Sequence, residues 1–159
     1  IRALWRAGRW LADPASRVLA TELLSRPEWL DLPAELLDPA LSGTFVTSPS
    51  GTIRTVPGFL EFHRGAANFP WRSQAEWIAS RLANRVGLDP DRAAEKARST
   101  FRSDIYRAAM ASTGIDLPGA SAKLEGALSE DTPVASRGGR LTLPHDQFFD
   151  GVIFEPLLN

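Results

Sequence analysis

Residues 62–77, Phe-His-Arg-Gly-Ala-Ala-Asn-Phe-Pro-Trp-Arg-Ser-Gln-Ala-Glu-Trp, gather a histidine, two arginines, an asparagine and two tryptophans. Guanidinium groups present a fork of N–H donors that matches an oxyanion. Imidazole titrates near neutrality, and a side-chain amide adds donors without charge. His63, Arg64, Asn68, Trp71 and Arg72 are therefore the candidate contacts for a ligand or a partner. The same stretch also has the marks of a structural joint: Pro70 and Ser73 set a helix start, Trp77 anchors it in the core, and Phe69 and Trp71 staple the preceding loop. His63 precedes a break at Gly65, where a histidine more often satisfies structure than performs catalysis.

Elsewhere the chemical signals thin out. Neither a Walker loop nor GxGxxG is present, so there is no sequence signature of a nucleotide cradle. The run Ser136-Arg137-Gly138-Gly139-Arg140 has the composition of a backbone nest for an anion, although a flexible basic loop is the commoner use. GxSxG is missing, and Gly119-Ala120-Ser121-Ala122-Lys123 matches neither it nor SxxK. His145, Asp146 and Asp150 could offer one nitrogen and two carboxylates to a metal, but loop aspartates usually cap turns. Glu130-Asp131 lies in a polar stretch with no apolar surroundings to raise a carboxyl pKa. The reading is a chain with no catalytic residues, no cofactor and no metal; the enzyme alternative places the catalytic groups outside it.

Composition sets the frame for these groups. At 159 residues the chain fits one domain, a length that buries roughly 70% of its unfolded surface. With 43% hydrophobic and 23% charged residues it has the balance of a folded globular protein. A net charge of −1 argues against nucleic acid as a direct partner. Only two of the 18 basic residues are lysines, Lys96 and Lys123. The absence of cysteine excludes disulfides and thiolate zinc sites. No apolar run reaches the roughly 20 residues of a membrane helix. The chain opens Ile-Arg-Ala-Leu-Trp-Arg without methionine or signal peptide, as a sequence entered mid-helix.

The elements that must position these residues are mostly helical. The first helix should present Ile1, Leu4, Trp5 and Leu11 on one face, with Gly8 where a neighbour approaches, and stop near Ala12. Asp13-Pro14 reads as an N-cap with proline at the first position of a second helix, which runs to Ser25 and buries Val18, Leu19, Leu23 and Leu24. A third, short helix begins at Pro33 and breaks before Pro39. Two β-branched runs, 44–47 and 52–56, flank Ser-Pro-Ser-Gly as a hairpin or surface flap. Ser73-Gln74-Ala75-Glu76 reads as a capping box, followed by Trp77, Ile78, Leu82 and Val86 at core spacing. Asp89-Pro90 caps a helix to Thr100, and Ser103-Asp104 begins another that ends at Gly114. Beyond Pro118 the periodicity dissolves into an extended segment that should dock through Leu124, Leu128, Phe148, Phe149 and Phe154. The expected organisation is a helical body over 1–118, with a hairpin near 44–56, and a wrapping tail over 119–159.

Four blocks carry a resemblance: 3–33 (ALWRAGRWLADPASRVLATELLSRPEWLDLP), 62–78 (FHRGAANFPWRSQAEWI), 101–115 (FRSDIYRAAMASTGI) and 148–156 (FFDGVIFEP). In order and spacing they resemble nitrate- and bicarbonate-binding proteins, the solute-binding components of ABC uptake systems for nitrate, nitrite, cyanate or bicarbonate. Glu155 stands where that pattern usually has aspartate. The resemblance implies a mainly α chain with a small β element, forming the C-terminal portion of a two-lobed α/β fold of the type II periplasmic-binding-protein kind. It implies a small inorganic anion as ligand, an ABC transporter permease as partner and a periplasmic location. It also implies that the main anion ligands lie upstream of Ile1. The stretches ASAKLEGAL and SRGGRLTL look more like a cytoplasmic branch, in which a nitrate or nitrite sensor pairs with an RNA-binding antiterminator protein.

Overall fold

Two Asp-Pro pairs and two glycines punctuate the chain as elementary capping chemistry requires. In the computed structural model, which describes residues 1–156, Asp13 accepts the Ala15 N–H at 3.0 Å and opens a 3-10 turn, Pro14–Ser16, leading into helix α2, Arg17–Leu24. Asp89 accepts the N–H groups of Asp91 and Arg92 and opens α5, Pro90–Arg98. Gly43 and Gly87, both left-handed, close α3 (Ala34–Ser42) and α4 (Arg72–Val86). Gly43 admits no other residue readily, because a Cβ there would lie 2.6 Å from the Val56 carbonyl oxygen. The remaining helices are α1, Arg2–Ala12, and α6, Ser103–Met110. No helix among the described residues is long and apolar enough to cross a membrane.

The described residues form two compact units, one of Ala3–Ala67 and one of Ile1–Arg2 with the chain from Asn68 onward. The first, here the N-terminal unit, holds α1 to α3 and a hairpin. Its strands β1 (Thr44–Val46) and β2 (Ile53–Thr55) pair antiparallel with Phe45 opposite Arg54. Phe45 meets Phe59 edge-on at 4.6 Å. The hairpin was legible in the sequence, and β2 is exposed throughout, as a flap would be. The helix begun at Pro33 does not break before Pro39 but passes through it. Pro39 forfeits one ladder bond, yet its carbonyl still accepts the Gly43 N–H at 2.8 Å, so the final turn closes around it.

The expected apolar faces of this unit are only half right. Gly8 is buried, consistent with close approach. Ile1, Leu4, Val18 and Leu19 are exposed, with Leu4 at 75% and Val18 at 79%, whereas Ala20 and Thr21 are buried. Helical spacing identifies a face but not the element that covers it, and here small residues occupy the covered side.

The second, C-terminal unit pairs α4 with α5 and adds α6 and the irregular chain after it. Ile78, Leu82 and Val86 are exposed rather than core, while Ser73, Ala75, Glu76 and Ala83 form the buried side of α4. The capping box is also absent. Ser73 sits inside the helix, donates to Glu125 Oε1 at 2.6 Å and accepts the Lys123 N–H at 3.1 Å. Glu76 is fully buried and pairs with Arg98 at 3.4 Å. Both side chains thus serve partners far along the chain instead of local N–H groups. Phe69, Trp71, Tyr106, Met110, Leu117 and Leu143 are among the residues of the apolar core.

The tail docks largely through polar contacts. Lys123 Nζ donates to Glu125 Oε2 at 2.6 Å and to Asp146, which also accepts the Leu128 N–H at 2.8 Å. Glu125 bridges Phe154 through reciprocal backbone bonds. Of the five apolar residues expected to anchor it, Phe148 stacks on Trp77 at 5.0 Å, but Leu124 and Phe149 are exposed. A second antiparallel pair, β3 (Thr132–Pro133) with β4 (Thr142–Leu143), was not legible from composition. Mainly α with small β elements is therefore the observed class, with two small sheets where one was expected.

Candidate functional site

The stretch 62–77 divides between the two units. In the N-terminal unit, the chain turns at Gly65 and Ala66, which have φ of 57° and 63°. The left-handed alanine costs about 1 kcal/mol. His63 lies edge-on to Trp5 at 5.4 Å, and its buried Nδ1 has no hydrogen bond among the described residues. Burial first, and the Arg9 guanidinium second, hold its pKa below the ordinary 6.5. A neutral ring against an aromatic face suits packing better than proton transfer. Arg64 pairs with Glu61 at 3.3 Å.

Asn68, Trp71 and Arg72 belong to the C-terminal unit. Trp71 is 4% exposed, edge-on to Phe69 at 4.9 Å, with Lys123 Nζ 5.9 Å from its ring centre. It lies in the core, as the staple expected of it. Phe69 also meets Tyr106 edge-on at 5.7 Å and carries the Arg107 guanidinium 4.9 Å above its face.

Arg72 differs from the others. It opens α4, donates its backbone N–H to the Ser121 carbonyl at 2.8 Å, and lines a cleft of about 370 Å³ with Glu95, Arg98, Ser99 and Arg102. The other cations nearby are committed. Arg98 pairs with Glu76. Arg102 grips Asp104 through two bonds, at 2.9 and 2.6 Å, and holds that carboxyl well below the usual carboxylate range. Arg107 is met by the carbonyls of Pro118, Gly119 and Ala120, the last at 2.6 Å, and by the Ser121 hydroxyl at 3.0 Å. Burial and then the charge of Arg72 lower the Arg107 pKa. The Arg72 guanidinium itself has no hydrogen bond or ion pair among the described residues, and its Nε is buried.

Arg98, Ser99 and Arg102 were not singled out in the sequence as site residues, although the arginine-rich run from Arg98 to Arg107 was a usable signal. The basic loop 136–140 does form a nest, and its anion is internal. Asp116 accepts the Ser136 hydroxyl at 2.7 Å, the Gly138 N–H at 2.6 Å and the Arg140 N–H at 2.9 Å. These donors, led by the Ser136 hydroxyl, lower the Asp116 pKa. His145, Asp146 and Asp150 are engaged separately. The His145 N–H donates to Asp131, Asp146 serves Lys123 and Leu128, and Asp150 accepts the Val152 N–H.

No family model matches the chain. A nitrate import ATP-binding protein (NrtC) of Synechococcus elongatus is 31% identical over 118 residues, covering 72% of this chain and 17% of that protein. A bicarbonate-binding protein (CmpA) of the same organism is 24% identical over 165 residues, covering 98% of this chain and 33% of the relative. In structure, the periplasmic nitrate-binding protein NrtA from Synechocystis PCC 6803 superposes with a TM-score of 0.67 at 17% identity, over 96% of this chain and 36% of that one. The chain thus spans about a third of the length of the binding proteins it resembles.

Proposed function

We propose that this chain, which is similar to nitrate- and bicarbonate-binding proteins and spans a part of their length, helps build the solute-binding component of an ABC uptake system for a small inorganic anion. The observation that supports this reading is that one fold likeness runs through 96% of the chain. The ligand class is nitrate or nitrite, with bicarbonate and cyanate as the related choices, and the location is periplasmic. The whole protein holds its anion by charge-assisted hydrogen bonds and closes two lobes around it without turnover. This chain supplies lobe scaffold: the aromatic joint at Phe69 and Trp71 and the polar seam around Lys123 make a rigid body for such closure.

A second reading rests on the ATP-binding relative. An ATP-binding subunit needs a phosphate loop, and this chain has none, so the 118 shared residues lie outside nucleotide-binding machinery. That favours an anion-sensing module acting on a transporter subunit, close in kind to a cytoplasmic sensor acting on an antiterminator protein.

Calorimetric titration of nitrate, nitrite, bicarbonate and cyanate into the full-length protein tests the first reading. Saturable binding of one of them is expected, and indifference to all four would overturn it. Residues 1–159 alone should show no nitrate affinity in the micromolar range, because the main ligands are expected upstream. An anion-dependent change in the ATPase rate of a partner subunit would select the second reading.

A further inference from the structure

We propose that the cleft beside Arg72 is a binding site for a carboxylate monoanion. Four arginines converge on this corner of the C-terminal unit, and three of them already have oxygen partners. Arg72 has none among the described residues, and its Nε–H is buried. A guanidinium edge offers two parallel N–H groups, the spacing of the two oxygens of a carboxylate.

The surroundings specify the ligand further. Arg98 and Arg102, tied to Glu76 and Asp104, line the cleft as positive charges held in place by their partners. Ser99 also lines the cleft, but its hydroxyl is spent on the Lys96 carbonyl at 2.8 Å. Glu95 is the lining carboxylate. The guanidinium edge matches a ligand with two oxygens side by side. The carboxylate can arrive on a free small acid or on an acidic side chain of a polypeptide. The site is independent of the transport reading, since it stands on Arg72 and its neighbours whatever the full-length protein carries.

The test is a nuclear magnetic resonance titration of the 159-residue chain that follows the arginine Nε–H resonances. Sodium acetate and, in a parallel arm, a short glutamate peptide are added against sodium chloride at equal ionic strength. The expected result is a saturable shift of the Arg72 Nε–H with half-saturation at about 1–10 mM acetate, the strength of a single ionic fork. The exposed Arg54 and Arg81 should stay still. Tighter binding of the peptide identifies a polypeptide carboxylate as the source, and equal or weaker binding identifies a free acid. Arg72→Lys keeps the charge without the fork and should weaken acetate about ten-fold, while Arg72→Gln should abolish the accompanying shifts at Ser99 and Arg102. An Arg72 resonance that does not move with either ligand, or that drifts without saturation alongside Arg54, overturns the proposal. That titration is on the unaltered chain, so it decides even where a variant fails to fold.

Discussion

The two units solve the problem of irregular chain in opposite ways. The C-terminal unit buries carboxylates and pairs them with cations or donors. Glu125 receives Ser73 and Lys123, Asp146 receives Lys123 and the Leu128 N–H, and Glu76 faces Arg98. Both units show aliphatic side chains to the surface, Leu4 and Val18 in one and Leu82 and Val86 in the other. The N-terminal unit's ion pairs, Arg26 with Glu22 and Arg64 with Glu61, are however more exposed than those of Glu76, Glu125 and Asp146. That unit also carries an apolar groove of about 240 Å³ bordered by Trp10, Leu23, Leu24 and Trp29. Apolar burial is tolerant of register, because any methyl can replace another at modest cost. A polar seam is not, because each donor left unmatched costs its full desolvation. A tail without periodicity can be held in one place by the second kind of contact where the first would let it slide.

That contrast can be broken most severely at Lys123. Its side chain is 17% exposed, between Glu125 at 6% and Asp146 at 23%. Lys123→Met leaves two largely buried carboxylates without their cation and should destabilise the C-terminal unit by about 3 kcal/mol. Hydrogen exchange should report faster exchange at Leu128 and Phe154 than at the β1–β2 amides. Equal protection in variant and parent would show that the seam is dispensable.

A smaller effect distinguishes the N-terminal unit by pH. The folded-state pKa of His63 is depressed below 6.5, so the unfolded chain takes up the proton more readily. Stability from this group is present above the unfolded value and is lost as pH falls through the folded one. Thermal midpoints of the parent chain should therefore decline between about pH 7 and 5, and His63→Gln should flatten that slope. An unchanged slope would place the acid sensitivity elsewhere.

The least effect belongs to the exposed aliphatics. Val18→Ser should change stability by less than about 0.5 kcal/mol in a urea titration, since little area is lost from the interior. A loss several times larger would mean that this face is covered in solution.

Part of this architecture was legible beforehand because its causes are local. Asp13-Pro14, Asp89-Pro90 and Gly114 carry their geometry within a few residues, so caps and stops were readable. The hairpin was readable for the same reason, as two β-branched runs around a turn. Ser73 and Glu76 misled, because a capping box and a long-range polar pair use the same residue types. Only a partner 52 residues away, Glu125, decides between them. At the candidate site, Arg72 was picked out by type and position, but Trp71 next to it proved to be core. The arginines that accompany Arg72 arrive from α5 and the α5–α6 junction, a convergence that spacing along the chain does not express.

By itself the sequence determined the helical punctuation, the hairpin and the blocks that resemble the binding proteins, and it holds no phosphate-loop motif and no cysteine. Each follows from short-range stereochemistry or from residue types that are present or missing. The tertiary structure alone decided which helix faces are covered, which anion fills the nest at 136–140, and which partners the arginines around Arg72 take. Those outcomes depend on partners brought together from distant positions, where the free energy of satisfying a buried charge outweighs any local preference.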